Sequence, residues 1–96
     1  MTGPHFLLRY NILMSLYEAF KSHPSAAIDI RDLEEWCCVT PDELNWNLAY
    51  LEKCGYVELG TSESFPPYIA SMVALTAAGI DLVEDTEGCK RRFNIT

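Results

Sequence analysis

The stretch TPDELNWNLAYLEKCGYV, residues 40–57, opens on helix-start signals and closes on a helix stop. Thr40 can cap an orphan backbone N–H through its hydroxyl, Pro41 has the fixed φ that suits a first helical turn, and Glu43 completes a capping box. Leu44, Leu48 and Leu51 then recur on one narrow helix face, and Gly55 follows Cys54 where a cap glycine belongs. This predicts a helix of about four turns starting at Pro41. Residues 56–59 follow as a strand.

Upstream, residues 27–30 read as a short extended segment, with Asp29 placed to cap a second helix running through Leu33 to Cys37. Val39 and Thr40 leave only a tight connection between the two helices. Further back, residues 5–22 have helical periodicity, with Leu8, Ile12, Leu16 and Phe20 forming one stripe between Pro4 and Pro24. A second stripe of Phe6, Tyr10, Leu13 and Tyr17 gives this helix more apolar surface than one face needs. Two explanations stand side by side: full burial in the core, or a homodimer interface formed by those four residues.

Downstream, residues 60–67 are rich in turn formers, residues 68–75 read as a returning strand, and Thr76 can cap a short helix carrying Ile80, Leu82 and Val83. Residues 86–96 read as a C-terminal tail holding Lys90, Arg91 and Arg92, with Phe93 and Ile95 as further apolar material for a dimer. The expected class is mainly α with a small β-hairpin, in a single domain spanning residues 1–96.

Composition bounds the function. The 96 residues suffice for one core, and 49% hydrophobic with 22% charged residues is a globular balance. No apolar run approaches a membrane span and no signal peptide is visible, so a cytoplasmic protein without membrane association is expected. Cys37, Cys38, Cys54 and Cys89 lack disulfide-framework spacing and read as reduced thiols; an adjacent pair is also a poor match to zinc ligands, so no metal and no cofactor is expected. His5 and His23 stand near opposite ends of the first helix with no nucleophile or carboxylate in a catalytic pattern, and a glycine-rich phosphate loop is missing. An enzyme is the weakest reading.

The LEKCGYV segment resembles the close of the recognition helix and the entry to the wing in winged helix-turn-helix regulators. Leu51, the charged pair Glu52 and Lys53, then Gly55, Tyr56 and Val57 carry the likeness. ALTAAGIDLVED, residues 74–85, is similar to the strand-to-helix exit of such domains, particularly the small multiple-antibiotic-resistance-type and phage-type regulators. The resemblance implies a three-helix core with a two-stranded wing, and a helix from Pro41 that enters the major groove of double-stranded DNA. With the leucines inward, the 100° step turns Asp42, Trp46, Ala49, Tyr50 and Lys53 outward and leaves Glu43, Asn45 and Asn47 on the flanks. Asn45 and Asn47 would bond adenine edges, Trp46 and Tyr50 would touch thymine methyls or sugars, and Lys53 would approach a phosphate. Arg31 and the Lys90, Arg91, Arg92 cluster would add backbone contacts.

Several residues depart from that pattern. The net charge is -7, Asp42 and Glu43 are anionic at the helix end that would meet DNA, and no lysine or arginine lies between Lys53 and Lys90. The wing loop offers Glu63 instead of a basic residue, and Cys38 occupies a turn position where these regulators often have glycine. Two functions are therefore expected to compete: a homodimeric DNA-binding regulator, and an acidic protein-interaction module using Trp36, Trp46 and Tyr50, with Phe65 and Tyr68, as its aromatic surface.

Overall fold

Helix boundaries in this protein are set by side-chain caps, and four helices begin on one. In the computed structural model, which describes residues 4–24, 27–60 and 67–94, the order is α1 (Pro4–Ser22), β1 (Ile28–Asp29), α2 (Ile30–Cys37), α3 (Pro41–Lys53), β2 (Val57–Gly60), β3 (Met72–Leu75), α4 (Ala77–Glu84) and α5 (Thr86–Arg92). Asp29 accepts from the N–H of Arg31 at 2.9 Å, Thr40 from that of Glu43 at 3.3 Å, Thr76 from that of Gly79 at 3.1 Å and Asp85 from that of Gly88 at 3.1 Å. Each bond satisfies a donor that the helix itself cannot.

The stop signals are equally local. At the end of α3, Gly55 takes φ +83°, its N–H reaches the Glu52 carbonyl at 2.9 Å, and the Tyr56 N–H reaches the Leu51 carbonyl at 3.0 Å. This paired closure is the Schellman motif, and it turns the chain directly into β2. Between α2 and α3, Cys38 adopts the left-handed conformation at φ 55°, ψ 50°. That conformation explains why related turns favour glycine; here a residue with a Cβ accepts the strain.

The core forms where α1 crosses the other elements. Leu8, Ile12, Leu13 and Leu16 of α1 are buried together with Ile30 and Leu33 of α2, Leu44, Leu48 and Leu51 of α3, and Val57 and Val73 of the sheet. Leu13 is fully enclosed, so that member of the expected dimer stripe belongs to the core. Phe6, Tyr10 and Tyr17 are half-buried against the same cluster.

One expectation is extended and one corrected. The extended segment at residues 28–29 is β1, which joins the two-stranded wing in one sheet, antiparallel to β3 in the order β1-β3-β2, with Ile28 opposite Val73 and Val57 opposite Leu75. Residues 86–92 form α5, where the sequence suggests a tail, and this helix inserts Cys89 and Phe93 into the core. Phe93 is therefore unavailable to a dimer surface, while Ile95, Glu63 and Phe65 lie outside the described residues.

Candidate nucleic-acid interface

The uncovered surface of α3 is narrower than helical periodicity suggests. Trp46 is 65% exposed, Asp42, Glu43, Glu52 and Lys53 are exposed, and Ala49 and Tyr50 are half-buried. Both flanking asparagines are buried, which corrects the expectation that they face a groove.

Asn45 holds the connection between β2 and β3. Its side-chain amide donates to the Pro67 carbonyl at 2.8 Å and its oxygen accepts from the Ile69 N–H at 3.1 Å. Asn47, with 0% exposure, binds α3 to α1: its oxygen accepts from Arg9 Nε at 2.8 Å, and its amide donates to the Glu43 carbonyl at 2.7 Å and faces His5 Nδ1 at 3.2 Å. A buried amide with its hydrogen-bonding groups committed in this way has nothing left for a base edge.

Tyr50 also differs from the simple groove-facing picture, because two arginines enclose it. The Arg9 guanidinium lies 3.7 Å from the ring centroid, a close cation–π stack, and Arg92 donates to the Tyr50 hydroxyl at 2.8 Å. Arg92 further approaches Cys54 Sγ at 3.5 Å and the rings of Tyr56 and Phe93. The hydrogen bond to Tyr50 is the main influence raising Arg92 still further above the ordinary arginine range. Sequence reasoning missed Arg9 altogether. Its i, i+3 relation to Phe6 was visible, but its partners stand about 40 residues away.

The remaining cations differ in their engagement. Arg31 is exposed and grips Asp29 through Nε at 3.2 Å and Nη2 at 3.0 Å. Those bonds hold the Asp29 carboxyl below the usual carboxylate range. Lys53 and Arg91 are exposed and Lys90 is half-buried. Trp36, 50% exposed, walls an open groove with Ser15, Glu18, Ala19 and Ser22 of α1, while the Tyr68 hydroxyl donates to Glu34 at 2.6 Å. Among the described residues no group of three or more His, Cys, Asp or Glu is placed to hold a metal ion, and no helix is long and apolar enough to cross a membrane.

This arrangement of helices and sheet is shared with a solved structure of NadR, a MarR-family transcriptional regulator, in complex with 4-hydroxyphenylacetate. The TM-score is 0.62 at 28% sequence identity, over 88% of this chain. The fold is a winged helix. The winged helix described here spans 55% of the NadR chain. No protein-family model and no curated protein matches the sequence. In winged-helix terms α2 and α3 form the helix-turn-helix, α3 stands in the recognition position, and β2 and β3 form the wing.

Proposed function

We propose that this chain is the DNA-contacting winged helix of a transcriptional regulator and that it acts on double-stranded DNA as a homodimer. The observation that carries the reading is α3 itself: a helix capped at both ends, joined to α2 by a tight turn, with an outer face of Trp46 and Lys53 left uncovered in a fold shared with a regulator. Trp46 supplies apolar contact to methyls or sugars, and Lys53, with Lys90 and Arg91 on α5, supplies phosphate contacts. Arg31, held in place by Asp29, is a further phosphate contact in this reading. Half-buried Phe6, Tyr10 and Tyr17, beside exposed Leu7, support a second copy packing along α1. Sedimentation at tens of micromolar tests that part, a monomer there contradicting it.

The test of DNA binding is a fluorescence titration with a random duplex pool at low and moderate salt. Salt-sensitive binding that weakens on Lys53→Glu supports the regulator. A different observation favours a second reading, in which the surface serves a protein partner. With Asn45 and Asn47 turned inward, the prominent exposed groups are the rings of Trp36 and Trp46, which suit interfaces. Failure to bind duplex even at low salt selects that alternative.

A further inference from the structure

Seven lysines and arginines serve a chain of net charge -7, and their distribution is uneven. Two are committed to carboxylates: Lys21 to Glu18 at 3.1 Å and Arg31 to Asp29 at 3.0 Å. Of the other five, two enclose one ring, and three stand on the same helices as that ring and its partner. Arg9 stacks on Tyr50, Arg92 bonds its hydroxyl, Lys53 follows Tyr50 by one helical turn, and Lys90 and Arg91 immediately precede Arg92. Among the described residues none of these five has a carboxylate oxygen within 4.0 Å, although Glu52 and Glu87 stand on the same two helices.

Half-buried guanidiniums in an acidic protein ordinarily collect carboxylates, since removing a cation from water is costly without an anionic partner. Arg9 and Arg92 instead have an aromatic ring, a hydroxyl, an amide oxygen and a thiol. Neutral partners orient a guanidinium without neutralising it. Each guanidinium has five N–H donors in a planar fork, so donors remain for a further acceptor. The opposite end of α3 has the reverse character, with exposed Asp42 and Glu43.

We infer that the C-terminal end of α3, together with the start of α1 and the end of α5, is a preassembled phosphate-binding pole, and that duplex DNA lies across it. This deepens the regulator reading and rests on it. It also changes the docking: the negative N-terminal end of α3 is directed away from the backbone, and the five cations of α1, α3 and α5 take the phosphates. Phosphodiester oxygens suit this pole because they accept bidentate contacts from guanidinium forks.

The experiment is fluorescence anisotropy of the full chain with a random duplex of about 30 base pairs between 50 and 200 mM salt. Five phosphate contacts give a log–log slope near -4.5, an affinity loss of about 500-fold over that range. Replacing Lys53, Lys90 and Arg91 together by alanine leaves a slope near -1.8 and a loss of about 12-fold. Lys21→Ala, whose ammonium pairs with Glu18, serves as the control and leaves the slope unchanged. Wild type that binds duplex, with a triple variant of unaltered slope, overturns the pole while leaving the regulator reading intact. Wild type that fails to bind at 50 mM salt overturns both. Displacement of the duplex by polyglutamate at equal charge concentration assigns the pole to acidic polypeptides and refutes the phosphate assignment.

Discussion

Asn47→Ala separates a structural asparagine from one that reads DNA. The substitution removes the acceptor of Arg9 Nε and the donor to the Glu43 carbonyl and His5. A hydrogen bond to a charged group contributes about 1.5–3 kcal/mol, and the lower end applies because Arg9 is only half-buried. The two remaining bonds add about 0.5 kcal/mol each, Glu43 retaining its helical partner and His5 being exposed. Alanine returns about 0.5 kcal/mol in helix propensity. The net loss is about 2 kcal/mol, a fall of about 2 M in the urea midpoint when the slope is about 1 kcal/mol per M. Circular dichroism at several urea concentrations measures it, with Trp46→Ala as the exposed control expected within about 0.5 kcal/mol of wild type. An unchanged midpoint for Asn47→Ala accompanied by lost DNA binding would falsify the buried assignment and return this residue to the groove.

Further outcomes follow from local geometry. Cys38→Gly relieves a left-handed residue with a Cβ and should stabilise by up to about 1 kcal/mol, read as a higher urea midpoint with unchanged slope; a lower midpoint would contradict the strained turn. Gly79→Ala should destabilise by about 1–3 kcal/mol despite better helix propensity, because the new methyl meets the Tyr56 carbonyl oxygen and Leu75 Cδ1; thermal unfolding at or above the wild-type temperature would refute that close approach. The depressed Asp29 carboxyl contributes stability that is present above its unfolded value near 3.9 and is lost as pH falls through its lower folded value. Asp29→Asn should therefore flatten the acid limb of the stability profile below about pH 4, and a stability difference from wild type that is constant from pH 2 to 7 would argue against the Arg31 pairing.

The features that proved legible in the sequence are those decided within a turn or two of chain. Thr40, Pro41 and Glu43 mark the start of α3, Gly55 its end, and Asp29 and Thr76 their own helices, because a cap and its N–H are near neighbours. Asn45 and Asn47 were misplaced for the opposite reason. Polarity suggested solvent, whereas their partners come from residues 67–69 and from α1, which no local rule reveals. The same applies to Tyr50, whose exposure depends on Arg9 and Arg92 from the two ends of the chain. For α5 a signal was present. Asp85 three residues before Gly88, followed by Cys89 and Phe93 at i, i+4 spacing, is a short capped helix with a buried face.

The grip of Asn45 on residues 67 and 69 has a mechanical consequence. Because one amide ties residues 67 and 69, in the connection between β2 and β3, to the N-terminal half of α3, the helix and that connection are coupled through a link far from the chain between them. A force applied to α3, whether by a bound duplex or by a neighbouring subunit, reaches that connection through Asn45 without passing through Gly55. Replacing that amide with an apolar isostere would remove this second link while β2 and β3 stay paired in the sheet, leaving Gly55 as the route by which α3 moves the hairpin.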